Sequence, residues 1–150
     1  MSDLRDLYQQ VILDHYRAPR NFGALEPVSA CAEGYNPLCG DQVKVYLRTD
    51  GDVVAAVTFE GVGCAISTAS ASLMTEAVRG LERPRAEALI ASFLALMTGD
   101  GNGAAGVDLG KLEVLSGVKD YPVRIKCATL AWHALRAALE GEDSETVTTE

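Results

Sequence analysis

The chain has 150 residues, 48% of them hydrophobic and 23% charged, an ordinary globular composition that supplies one domain with a real core. Its net charge of −8 argues against a nucleic-acid backbone as partner, because such binding relies on Lys and Arg neutralising phosphates. No apolar run approaches the ~18 residues that span a bilayer, and the opening MSDLRDLYQQ lacks the basic start and apolar centre of a secretory signal, so no membrane is implied and the expected location is the cytoplasm.

Residues 3–17, DLRDLYQQVILDHYR, place Leu4, Leu7, Tyr8, Val11, Ile12 and Tyr16 at helical spacing, and APRN ends the pattern. VSACAEGY then reads as a short strand holding Cys31 in the core, and QVKVYLR as a second strand with Val43, Val45 and Leu47 on one face. TDGD is a hairpin turn, with Asp50 and Gly51 at the positions that need positive φ. The return strand VVAAVTFE puts Val53, Ala55, Val57 and Phe59 on one face.

Helical spacing resumes in AISTASASLMTEAVRG, starting at or just after Cys64, and again in RPRAEALIASFLALM, where Pro84 suits a first turn. A Gly-rich stretch leads into a short apolar-periodic piece with Leu109, Leu112, Val114, Leu115 and Val118. The last helix, YPVRIKCATLAWHALRAALEG, has Asp120 as candidate cap, Pro122 near its start and Cys127 in its second turn. Residues 1–140 thus read as one domain. Five of the 21 acids lie in the last eleven residues, EGEDSETVTTE, leaving 16 acids against 13 bases before them; residues 141–150 are expected to be an acidic, flexible tail.

If Asp50 and Gly51 form the hairpin turn, Asp41 lies opposite Glu60 and position 39 opposite position 62, two residues before Cys64. The segments CGD (Cys39 to Asp41) and GVGC (Gly61 to Cys64) then emerge at one end of the sheet. A helix N-terminus at Cys64 favours a thiolate there. Zinc takes four tetrahedral ligands, commonly Cys, with Asp acceptable where a ligand must be released. Cys39, Asp41, Cys64 and Cys127 are the candidate set, with Arg124 and Lys126 beside Cys127 to offset the negative charge of three thiolates and a carboxylate. Other readings of these residues stay open: a redox pair or disulfide between Cys39 and Cys64, which a cytoplasmic setting disfavours, and Asp41 as a turn brace. Neither His15, on a packing helix, nor His133, about 240° around the helix from Cys127, is a favoured ligand.

The segments NPLCGD, GVGCAIS and RIKCATLAWHAL, with LYQQVILDHYRAPRNFG near the start, resemble the SufU branch of the IscU/NifU-type iron–sulfur cluster assembly family, a likeness that runs over residues 4–140. The resemblance implies an α+β fold with a small antiparallel three-stranded sheet packed against helices, and a zinc site made by Cys39, Asp41, Cys64 and Cys127. IscU-type scaffolds have a histidine directly before the third of these cysteines; here that position is Lys126. The stretch GDGNGAAGVDLGKLEVLSGV is similar to an insertion of the SufU branch. Membership of that branch implies a zinc-dependent sulfurtransferase, with a SufS-type cysteine desulfurase as the donor partner and iron–sulfur assembly proteins downstream. It also implies that a desulfurase histidine takes a zinc position and frees Cys39 as the sulfur acceptor. Two other functions stay open on this reading: a scaffold carrying a transient iron–sulfur cluster, and a small domain with purely structural zinc. A zinc hydrolase or deaminase is disfavoured, because no HxE with a downstream PCxxC is present to activate water.

Overall fold

The computed structural model describes residues 2–25, 28, 30–37, 40–98, 112, 115, 122–140 and 145–148. The elements run α1 (Ser2–Arg17), β1 (Ala30–Asn36), β2 (Asp41–Asp50), β3 (Val53–Val62), α2 (Ala65–Val78), α3 (Arg83–Thr98), α4 (Pro122–Leu139) and β4 (Glu145–Thr148). This is the α+β architecture read from the sequence: an antiparallel sheet of β1, β2 and β3 packed against helices. Among the described residues a fourth strand joins it, in the order β3-β2-β1-β4.

β4 is parallel to β1, from Ala32 opposite Glu145 to Tyr35 opposite Thr148. It falls inside the stretch expected to be a flexible acidic tail. The count of acids hid a β-branched run, Thr146, Val147 and Thr148, which favours an extended chain, and the edge of β1 supplies backbone groups for it to pair with.

The β2–β3 hairpin also departs from the sequence reading. Its turn residues are Gly51 and Asp52, since Asp50 pairs with Val53, and only Gly51 has positive φ, +64°. A bulge beside Arg48 and Thr49 then shifts the register by one, so Lys44 pairs with Glu60 and Gln42 with Val62. The extra residue reverses the facing of β3 at that point. Val54, Val57 and Phe59 are buried, whereas Val53 and Ala55, expected on the same face as Val57, are exposed. In β2 the alternation holds, with Val43, Val45 and Leu47 inside. Cys31, expected in the core, is half-buried on the opposite face of β1, while its neighbour Ala32 is fully buried.

α2 is the central helix, packed by α1 and α4 and against β3. Its small side chains permit this close approach, and their hydroxyls join the helices. Ser70 Oγ donates to Ala128 O at 2.5 Å and accepts from Trp132 Nε1 at 3.0 Å, and Trp132 stacks on Phe93 of α3, 4.1 Å between ring centroids. Ser72 Oγ meets His15 Nδ1 at 2.7 Å and accepts from Arg20 N at 2.8 Å. This pairing draws His15 into the interior while Tyr16, placed by the sequence pattern on the apolar face of α1, is 46% exposed.

Gly61 has φ +147°, and a Cβ on it would lie 2.1 Å from the carbonyl oxygen of Gln42. The bare backbone lets the end of β3 press against the start of β2. Gly61→Ala is expected to cost about 2 kcal/mol or more, through strain and steric overlap together, read as a lowered urea midpoint with an unchanged slope.

On the outer face, the Tyr46 hydroxyl donates to Glu60 Oε1. That hydrogen bond, then burial, then the charge of Glu60, push the phenol up to about 12 from 10.0. A folded-state value above the unfolded one stabilises the protein fully below pH ~10 and ceases to do so as pH rises toward ~12. Unfolding midpoints measured at pH 9 and 11 should therefore fall further in the wild type than in Tyr46→Phe.

Candidate metal centre

The geometry begins with the hairpin. Because Gln42 pairs with Val62, Asp41 lies level with Gly63 rather than with Glu60, which brings it closer to Cys64 than the expected register did. β1 and β2 are joined across Asn36 and Asp41 by a turn in which Gly40 N donates to Asn36 O at 2.8 Å, with Gly40 at φ +77°. Cys39, the expected sulfur acceptor and fourth ligand, lies in this turn but outside the described residues.

Cys64 is the N-cap of α2, in extended conformation, as the sequence pattern indicated. Its thiol accepts from Ser67 N at 3.4 Å, the cap interaction that a Ser or Asp side chain ordinarily makes. Its own N–H donates to Asp41 Oδ1 at 3.1 Å, and its Sγ stands 3.7 Å from Asp41 Oδ2. From α4, Cys127 completes a group in which one ligand atom each from Asp41, Cys64 and Cys127 all lie within 4.8 Å of one another. Asp41 and Cys127 are 3% and 2% exposed, and none of Cys31, Cys64 and Cys127 is in a disulfide.

These residues fit a metal. A tetrahedral zinc with Zn–S bonds of about 2.3 Å sets neighbouring donors roughly 3.8 Å apart, within the span found. Asp41 is a buried carboxylate whose hydrogen-bond partners are the Cys64 amide and thiol, so oxygen lone pairs are left over. A buried carboxylate with spare acceptor capacity beside two sulfurs is stabilised by a cation. Arg124 is exposed and Lys126 half-buried, and neither forms an ion pair with Asp41. Neither histidine joins the group: His15 is bound to Ser72, and His133 faces Arg136 at 3.1 Å, where burial and then the Arg136 charge lower its pKa.

Sequence reasoning missed Ser67, which the fold sets directly beneath the Cys64 sulfur. Its spacing of three from an N-cap candidate is the signal that was available.

Residues 7–128 match the family described as NifU-like N terminal domain. The chain belongs to this family, the IscU/SufU proteins. Within it, the chain is 44% identical over 142 residues to a Bacillus subtilis protein named zinc-dependent sulfurtransferase SufU, covering 95% of both chains. It is 42% identical over 140 residues to a Streptococcus pyogenes protein named iron-sulfur cluster assembly scaffold protein IscU, covering 93% of this chain and 87% of the other. Among solved structures, one from Fervidobacterium islandicum AW-1, titled as a putative iron-sulfur cluster assembly scaffold protein for the SUF system, superposes with a TM-score of 0.79 at 36% identity, covering 89% of this chain and 96% of that one. The nitrogen-fixing NifU-like protein of Brucella abortus gives 0.79 at 26% identity, covering 90% and 93%. The family's two kinds of named function, sulfur transfer and cluster scaffolding, are thus both found among relatives of similar identity. Among the described residues no helix is long and apolar enough to cross a membrane.

Asp41 accepts from the Cys64 amide and, in a metal site made by this group, would also be a metal donor. Asp41→Asn keeps an acceptor for the Cys64 N–H and should weaken zinc binding while leaving metal-free stability nearly unchanged. Asp41→Ala should weaken zinc binding as well and lower metal-free stability by about 1–2 kcal/mol. Chelator competition and thermal unfolding of the metal-free protein separate the two effects.

Proposed function

We propose that this protein is a zinc-dependent sulfur acceptor that takes persulfide sulfur from a SufS-type cysteine desulfurase and passes it to iron–sulfur assembly proteins in the cytoplasm. The observation carrying this reading is the group Asp41, Cys64 and Cys127 at one end of the sheet; Cys39 lies two residues before Asp41 in the sequence. The choice of branch rests on Lys126, which stands where a cluster scaffold of the family has a histidine, and is supported by the likeness to the Bacillus subtilis sulfurtransferase.

In this reading Cys39, Asp41, Cys64 and Cys127 hold the zinc, which when bound keeps the thiols as thiolates and in place. The chain's own residues account for the rest. Cys39 thiolate attacks the outer sulfur of the desulfurase persulfide. A sulfur–sulfur bond forms on Cys39 as the bond between the two desulfurase sulfurs breaks, and the desulfurase cysteine leaves as a thiolate. One thiolate is consumed and one released, so no outside oxidant or reductant is needed. Asp41 and Cys64 remain joined through the Cys64 amide, and the other three donors keep their arrangement while Cys39 reacts.

The second reading, a scaffold for cluster assembly, is favoured by the likeness to the Streptococcus pyogenes IscU at 42% identity. The two separate on one experiment. Zinc-loaded protein is mixed with a SufS-type desulfurase and cysteine, and added sulfur is mapped by peptide mass spectrometry. Sulfur on Cys39 with zinc retained, faster desulfurase turnover, and at least tenfold less sulfur on the chain in Cys39→Ala are expected. Full sulfur acceptance by Cys39→Ala would sink the acceptor role. No sulfur and no stimulation, with a coloured and stable cluster after anaerobic reconstitution, would establish the scaffold instead.

A further inference from the structure

Ser67 is the third residue of α2, three positions after Cys64, so the two side chains neighbour each other on one side of the helix. Its N–H already points at the Cys64 sulfur, 3.4 Å away. Its hydroxyl packs under Gly63: a Cβ built on that glycine would lie 3.1 Å from Ser67 Oγ and 3.3 Å from Asp41 Oδ1. The hydroxyl and the carboxylate therefore border one small space, which exists because residue 63 has no side chain.

Ser67 is 5% exposed as a residue, and its hydroxyl makes no hydrogen bond among the described residues; it is not one of the fully buried unpartnered atoms, which are Thr58 Oγ1 and Ser92 Oγ, but borders a small pocket with Gly63 and Thr68. The other buried hydroxyls along α2 are satisfied: Ser70 by Ala128 and Trp132, Ser72 by His15 and Arg20, and Thr75 by Ser72 O at 2.7 Å. The Ser67 hydroxyl is thus left over as a donor beside a carboxylate with spare lone pairs.

We propose that Ser67 is a positioning residue of the metal centre, whose hydroxyl donates to the Asp41 carboxylate once that carboxylate engages a divalent cation. Oδ1 then carries two donors, the Cys64 amide and the Ser67 hydroxyl, and Asp41 meets the metal through Oδ2 alone. A carboxylate held in this way binds through one oxygen in a fixed direction, which favours four-coordination over a looser two-oxygen contact. Ser67 touches neither the transferred sulfur nor the metal. The inference rests on Asp41, Cys64 and Cys127 being metal ligands.

The test uses Co²⁺ as probe, because its thiolate charge-transfer band reports cysteine ligation and its d–d bands report coordination number. Wild type, Ser67→Ala and Ser67→Thr are titrated, and metal-free thermal unfolding is measured for each. Ser67→Ala should bind Co²⁺ about 10–100-fold more weakly, the usual effect of losing a partner behind a ligand. Its d–d spectrum should shift toward higher coordination, its metal-free unfolding should match the wild type, and Ser67→Thr should restore the wild-type spectrum. An unchanged affinity and d–d spectrum in Ser67→Ala overturns the inference and leaves the ligand set standing. So does weaker binding that tracks a lowered metal-free unfolding temperature and is not restored by threonine. A wild-type protein with no thiolate charge-transfer band overturns the ligand set and this inference together.

Discussion

The bond from the Cys64 amide to the Asp41 carboxylate is the constraint on which the site depends. It joins the first residue of β2 to the cap of α2, across 23 positions of sequence, at the point where the sheet ends and the helical layer begins. A helix start leaves amides without partners; a buried carboxylate lacks donors. Each corrects the other's deficit, and the result is a carboxylate oxygen fixed beside a sulfur. Much of the nearby backbone serves this arrangement. Gly61 brings the strand ends into contact, Gly63 leaves room for Ser67 and Asp41 to approach, and Gly40 turns the chain from β1 into β2.

The helical layer supplies the remaining donor. Cys127 sits in the second turn of α4, and α4 is held against α2 by the contacts of Ser70 with Ala128 and Trp132. Small side chains on α2 make that approach close enough for serine hydroxyls to span the gap. The stripe of serine and alanine that gives α2 its weak amphipathic pattern is thus a packing surface, and it is also what sets the distance between the sulfurs of Cys64 and Cys127.

Much of this was legible in the sequence, and the reasons differ by element. Apolar periodicity and Gly/Pro punctuation located the long helices and the hairpin, because those signals are local. The cap at Cys64 was legible for the same reason. The bulge near Arg48 was not: a one-residue slip in register leaves no mark in the alternation of β2, and only the partner strand reveals it. The convergence of Asp41 with Cys64 survived that error, since moving the position opposite Asp41 by three residues, from Glu60 to Gly63, changes which pairs face each other but not which end of the sheet they share. β4 was hidden because charge was weighed above β-branching, and a strand that pairs with a distant edge carries no turn signal of its own. The burial of His15 in place of Tyr16 depends on a hydroxyl 57 residues away, which periodicity within α1 does not register. The ligand set required the resemblance as well as the pattern, because Cys127 reaches the site through helix packing.

The spacing of the donors along the chain has a consequence for biosynthesis. Asp41 and Cys64 come from the β2–β3 hairpin and the cap that follows it, whereas Cys127 comes from the last long helix. A ribosome adding roughly 5–20 residues per second spends seconds between Cys64 and Cys127, and α4 must then clear the exit tunnel and dock on α2. During that interval the emerging chain carries Cys39, Asp41 and Cys64 but not Cys127, so the candidate set is one donor short. The complete group of Asp41, Cys64 and Cys127 thus exists only after α4 has been made and has docked on α2.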